Sequence, residues 1–245
     1  MRKFLSVLVA LCISISTFDG VFDRCCAHAE VSAGGLVIAD FISGTVGRPA
    51  DTTQAAFHFD YLLPQFIAMN DISSAINQFF IGLPDELHSF FPVESGHITF
   101  EIHHFSQRYL SIMLNCTYEN SSGLSDQKAA LTFALDGMYA GQRVTLSQVL
   151  GMEQQEELVT WQAYDLVWQI IQREKQNPET DYRDDLTREN LPFHPETDFY
   201  LDGNDNIVFY IQAGEIAGEI AGTLFYPFST AEIIASFAES NKPDR

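Results

Sequence analysis

Cysteine is scarce in this sequence, and its placement makes it scarcer. Cys12, Cys25 and Cys26 fall within the first 29 residues, and only Cys116 lies beyond them. A chain cut after residue 29 therefore holds no internal disulfide. Cys116 sits in an apolar, strand-like run, where a small buried hydrophobe is expected rather than a nucleophile. Positive charge is also scarce: 13 Lys and Arg face 33 Asp and Glu, a net charge of -20. Arg2, Lys3 and Arg24 against Asp19 and Asp23 give the first 29 residues +1, so the remainder carries -21. Such a surface repels phosphate backbones, which excludes nucleic acid as a partner, and it favours cationic ones. Enzyme signatures are missing: there is no Gly-x-Ser-x-Gly, no His-Glu-x-x-His, no phosphate-cradling loop and no reactive cysteine. Carboxylates are plentiful, but the sequence sets no distance between any two. A glycosidase pair is therefore not nominated. No catalytic, cofactor-binding or metal-ligating residue is assigned, and no cofactor is expected.

Composition is that of a folded chain. Apolar residues make up 46% and charged residues 19% of 245, enough for one large domain or two small ones. Arg2 and Lys3 open the chain, an apolar run follows from Phe4 to Ile15, and Ala27-His28-Ala29 offers small residues where a signal peptidase reads. This is the pattern of a secretory signal peptide over 1–29, cut before Glu30. The run is too short for a comfortable membrane span. No later apolar run reaches spanning length.

Periodicity places the elements. Residues 57–63 alternate as a half-buried strand. Asn70 or Asp71 caps a helix whose Ile72, Ile76, Phe79 and Phe80 share a face and which Gly82 and Pro84 end. Alternation returns at 97–104, 110–114 and 131–135, an antiparallel meander with turns near Gln107 and across 120–127. Residues 153–175 read as the longest helix, with Glu153, Glu156 and Glu157 at its start, Arg173 and Lys175 at its end, and an apolar stripe of Leu158, Trp161, Tyr164, Trp168 and Ile171. A polar segment, 179–189, precedes strands at 199–201, 207–212 and 223–228, the first two joined by Asp202-Gly203-Asn204-Asp205-Asn206. The expected class is α+β: an antiparallel meander packed by one long helix and a shorter one, with no crossover helices. The chain divides into a half at 30–150 and a helix–hairpin half at 151–245.

The C-terminal third carries a resemblance. Asp198-Phe199-Tyr200-Leu201, the Asp/Gly/Asn turn, Ile207 to Gln212, Glu215-Ile216-Ala217, Gly222 and Leu224 to Phe228 resemble the extracytoplasmic domain shared by the RsiV anti-sigma factor and the PdaC peptidoglycan deacetylase. Leu110-Ser111-Ile112, Tyr118, Phe133 to Asp136 and Gly141 to Leu146 follow the preceding half of the same pattern, so the likeness spans roughly residues 50–235. There are departures: Asn120-Ser121-Ser122-Gly123 replaces the family's Gly- and His-containing turn, and Gly214 and Gly218 replace an aromatic residue and a proline. Neither a sigma-binding segment nor a deacetylase domain is expected from this sequence. The resemblance implies a recognition module, which in RsiV binds lysozyme.

Four local constellations have bland readings. His97, Glu101 and His103 share a strand face, with His104 adjacent. His97 and Glu101 stand about 13 Å apart on an extended strand, so of these only Glu101 and His103 could share a metal, and a solvated face is expected. Gly214, Gly218 and Gly222, four apart, read as a short helical turn packed tightly on the sheet. The acidic segment 179–189 reads as solvated surface, and residues 202–206 as a hairpin turn rather than a calcium loop. Asn115 and Asn120 open glycosylation sequons that a bacterium does not use.

The expected function is a secreted or periplasmic non-catalytic module at a bacterial envelope, binding a lysozyme-like cationic protein or a cell-wall glycan. A peptidoglycan hydrolase or deacetylase without a known motif is one alternative, and a membrane-tethered sensor with an uncut leader is another. N-terminal sequencing of the exported protein distinguishes the last: a first residue of Glu30 is expected, and an intact Met1 start would establish the tether.

Overall fold

The computed structural model describes residues 36–48, 56–121, 123–176 and 181–240, so the expected signal peptide at 1–29 lies outside the described residues. Strand β1 (Ile38–Arg48) pairs antiparallel with β2 (Phe57–Phe66), whose Phe57, Phe59, Tyr61 and Leu63 all turn to one side. Pro64 is tolerated for a specific reason. It shares the parity of His58, whose N–H reaches Glu94 O on the β3 side (2.8 Å), and pairing with β3 ends at Tyr61. The missing donor therefore faces a side with no strand to receive it.

Helix α1 (Asp71–Gly82) starts in a capping box, with Ser73 N–H donating to Asn70 Oδ1 (2.9 Å) and Asn70 N–H to Ser73 Oγ (3.1 Å). Asn77 then locks it to the end of β2: Phe66 N–H donates to Asn77 Oδ1 (2.8 Å), and Asn77 Nδ2 to Phe66 O (2.7 Å). A 3-10 turn and helix α2 (Leu87–Phe90) return the chain to β3 (Ser95–Phe105), which pairs parallel with β2. The expectation of no crossover is thus corrected. The apolar positions of 72–91 form a two-helix crossover, and the parallel pair covers only His58–Tyr61 and Ser95–Ile98. β4 (Tyr109–Asn120) and β5 (Gly123–Ala134) complete the antiparallel meander, giving a mixed five-stranded sheet in the order β1-β2-β3-β4-β5.

The second sheet is antiparallel, β6 (Phe199–Leu201), β7 (Ile207–Ile211) and β8 (Leu224–Phe228) in that order. Helices α3 (Leu146–Leu150), α4 (Glu156–Gln176) and α5 (Thr230–Ser240) belong with it. The class is α+β. Parity along the strands builds the layers. Phe59, Ile98, Leu110, Ile112, Leu131 and Phe133 face α1. Phe199, Leu201, Ile207, Phe209 and Ile211 face α4 and α5. The opposite faces meet through Met113 and Ala130 on one sheet and Tyr200, Val208 and Tyr210 on the other. The order of layers is helix, five-stranded sheet, three-stranded sheet, helices. Fully buried phenylalanines such as Phe59, Phe80, Phe133 and Phe209 each stabilise by about 1.5–3 kcal/mol.

Two expectations about detail are corrected. The buried row of α4 is Val159, Ala163, Val167 and Ile171; of the expected stripe only Ile171 belongs to it, while Leu158, Tyr164 and Trp168 are partly buried beside it. Smaller residues every four positions bring the helix close to the sheet, and the aromatics flank it. Tyr164 donates to Phe193 O (2.5 Å), and Trp161 stays 49% exposed under the Arg188 guanidinium, 4.6 Å from its ring centre. The Gly-rich stretch is a loop with one 3-10 turn at Glu219–Ala221 rather than a packed helix. Gly214 and Gly222 have φ of 78° and 66°, which side chains resist, while a Cβ on Gly218 or Gly222 would meet nothing within 4 Å. Among the described side chains of that stretch, Ile216 and Ala217 enter the core.

One glycine is fixed by contact. A Cβ on Gly96 would sit 2.6 Å from Cys116 Sγ and 3.2 Å from Thr117 O. Gly96→Ala is expected to destabilise by about 1–3 kcal/mol. Adding Cys116→Ala should recover part of that loss in chemical denaturation. Additive losses in the double variant would locate the clash elsewhere.

Candidate binding face at the junction of the two sheets

Histidines 103 and 104 end at the same place for a backbone reason. β3 and β4 lose register between Ile102 and His104, where one residue is added. Such a bulge re-aims the side chains beside it. His103 packs on Tyr200 of β6, ring centres 4.4 Å apart, and its Nε2 lies 3.5 Å from Glu101 Oε2. His104, 6% exposed, places Nδ1 2.8 Å from Asp202 O, so Nδ1 carries the proton donated there. Its Nε2 lies 3.3 Å from Asp205 Oδ1. The strand histidines and the 202–206 turn, far apart in sequence, thus form one site.

The turn is built by its own side chains. Asp202 Oδ1 accepts the N–H groups of Asn204 (2.8 Å) and Asn206 (3.0 Å), and Oδ2 accepts Asn206 Nδ2 (3.0 Å). Burial alone would raise the Asp202 carboxyl, but these hydrogen bonds hold it below its ordinary value. Asp205 adopts φ 61°, a left-handed conformation that aspartate tolerates, and Thr230 at the start of α5 donates to its carbonyl (3.1 Å).

Side chains of the second sheet also seal the free edge of β5. Ala130 N–H donates to Tyr210 OH (3.0 Å). Gln212 accepts from Lys128 N–H (3.0 Å) and donates to Lys128 O (2.6 Å). Leu201 N–H donates to Ser111 Oγ (3.1 Å), which also bonds Thr132 Oγ1 (2.7 Å). An open strand edge is a template for association, and here it is satisfied without another strand.

Around this junction the outer face of the first sheet stays polar. His97 pairs in register with Asp60, and Thr99 with Asn115. Lys128 Nζ bonds Asn115 Oδ1 (2.9 Å) and lies 3.0 Å from Asp126. Phe225 of β8, 43% exposed, packs edge-on against Tyr200 at 6.1 Å. The expected solvated strand face is therefore half right. His97 and Glu101 are exposed, whereas the bulge and the second sheet cover His104 and partly cover His103. Within that set Glu101 and His103 are in contact, 3.5 Å apart. Among the described residues no group of three His, Cys, Asp or Glu converges on a metal position.

The acidic segment, described from residue 181, is held against α4 and residues 215–217. Arg183 grips Asp185 through two bonds (2.8 and 3.0 Å) and donates to Glu215 O (3.0 Å). Arg188 Nε reaches Asp165 (2.5 Å), and Tyr182 is buried and donates to Glu174. Asp181, Asp184 and Glu189 remain exposed. Ser111, Thr132 and Tyr210, which fix the junction, carry no local sequence signal; only their alternation with core residues hints that they face a second layer.

Neither the protein-family models nor the curated proteins give a match to this chain. Among solved structures it is similar to a DUF3298 family member from Bacteroides fragilis NCTC 9343, with 15% identity, a TM-score of 0.45 and coverage of 82% of this chain and 93% of that one. It is also similar to a DUF3298 family protein from Pseudomonas aeruginosa PAO1, with 10% identity, a TM-score of 0.48 and coverage of 80% and 92%. These likenesses carry no residue roles to this chain.

Burial is the largest influence on His103 and lowers its pKa. Lys128 acts in the same direction, and Glu101 and Asp202 oppose it. A histidine depressed in the folded state contributes stability that is present above the unfolded value of about 6.5 and is lost as pH falls through the folded value. His103→Gln should therefore flatten the fall in stability below about pH 6.5 in denaturation curves taken across pH. An unchanged slope would assign the acid sensitivity to other groups.

Proposed function

We propose that this chain is a non-catalytic recognition module acting outside the cytoplasmic membrane of a bacterium, and that it binds a cationic protein of the lysozyme kind through the junction face. The carrying observation is that Asp205 of the rigid 202–206 turn and Glu101 of β3 are brought to one junction by His104 and His103, with half-exposed Phe225 on the Tyr200 ring that His103 packs against. Carboxylates on a fixed scaffold, next to an exposed aromatic, suit arginine and lysine side chains with an apolar stem. The net charge of -21 beyond residue 29 adds long-range steering toward such a partner. The sequence leader supports the location, and the RsiV/PdaC-like resemblance supports the partner class. The half-exposed Phe225, edge-on to Tyr200, favours a neutral cell-wall sugar as the second reading.

Calorimetry of the purified protein with hen lysozyme, at low and moderate salt, tests this. Binding should weaken clearly as salt rises. Glu101→Lys and Asp205→Lys should each weaken it by about tenfold, equivalent to roughly 1.4 kcal/mol. Binding indifferent to salt and to both reversals would overturn the electrostatic reading. No binding to lysozyme, with retention on peptidoglycan fragments lost in Phe225→Ala, would establish the sugar reading instead.

A further inference from the structure

Away from the junction face, a pocket of about 170 Å³ opens where the β3–β4 turn, the turn after β5 and the start of α4 come together. Its walls carry Arg108, Tyr109, Asp136, Met138 and Glu153, with Ala134 and Val144 among the apolar lining. The framework is fixed by main-chain and side-chain bonds. Leu135 N–H donates to Arg108 O (2.7 Å), Tyr109 OH donates to Val149 O (3.3 Å), and Gln148 is held by Thr145 N–H (2.9 Å). Arg108 lies over the Tyr109 ring, 5.3 Å from its centre, which orients the guanidinium along one wall.

The charges in this pocket stand at exposed positions and make no ion pair with one another. One guanidinium and two carboxylates line the same small space. Among the described residues, however, neither Asp136 nor Glu153 comes within 4.0 Å of Arg108 or any other cation. Neither carboxylate accepts a hydrogen bond there. Both carboxylates and Arg108 nonetheless act electrostatically on the Tyr109 hydroxyl, which places all three charges around one ring. A ligand that bridges them would supply what the side chains do not supply to each other: an anion for the guanidinium and cations for the carboxylates.

We propose that this pocket binds a small free diamino acid, with its carboxylate on Arg108 and its two ammonium groups on Asp136 and Glu153. The ligand's net charge of +1 balances the pocket's -1. Its short methylene stem suits the Ala134, Val144 and Met138 lining.

The test is an NMR titration of the purified protein with L-ornithine, L-norvaline and ornithine amide. Norvaline lacks the side-chain ammonium, and the amide lacks the carboxylate. Ornithine should give saturable shifts at Arg108, Gly137 and Met138. Norvaline and the amide should each bind at least about tenfold more weakly. Arg108→Gln and Asp136→Asn, both at exposed positions, should each reduce ornithine binding by a similar factor. Absence of saturation up to about 10 mM would overturn the proposal. So would equal binding of the amide, because that is what non-specific attraction of any cation to an acidic surface predicts. The variants lie outside the junction face, so failure here leaves the lysozyme experiment unaffected.

Discussion

The fold depends on the meeting of two sheet faces through a few side chains. Ala130 leaves room for Tyr210 to reach its N–H, and Met113 fills the space beside Val208 and Tyr200. The polar bonds here matter because their groups are buried: Ser111 and Thr132 are almost fully enclosed, and each would cost about 1–3 kcal/mol if left unpaired. The hydrogen bonds of Tyr210, Gln212 and Ser111 therefore select one registry between two layers that apolar packing alone would leave free to slide. The helices on either side then bury the outer faces against a sandwich whose middle is already set.

The candidate face follows from that registry. A bulge in β3 aims two histidines at the second sheet: Tyr200 of β6 takes His103, and the self-bonded turn at 202–206 receives His104. Neither half would be rigid alone. The turn has three hydrogen bonds to one carboxylate but few apolar contacts, and β3 ends here. Joined, they form a fixed rim on which exposed carboxylates keep their places. This is the pre-organisation that binding needs, because less conformational freedom remains to be lost.

The sequence declared much of this through period. Strands β2 to β8, α1 and α4 are legible because their core positions repeat every two or every three to four residues. β1 is not, because its positions are mostly exposed and few apolar residues mark it. The parallel pair is hidden because it spans four residues and its crossover helices are short. α4 misleads because large aromatics outweigh a row of Val and Ala in any reading by hydrophobicity, while close approach to a sheet favours the small ones. The hairpin turn is legible from Asp202, Asn204 and Asn206. Its contact with His103 and His104 is not, because about a hundred residues separate the partners and the bulge that joins them has no composition of its own.

Cys116 gives the first core a property of another kind. Its thiol is fully enclosed, and burial pushes its pKa up to about 12, so almost none of it is thiolate at neutral pH. It faces Gly96 across a contact that admits no reagent. Among the described residues it is the only cysteine. Alkylation must therefore wait for β3 and β4 to separate, which makes the rate of thiol modification a built-in clock for the opening of the five-stranded sheet.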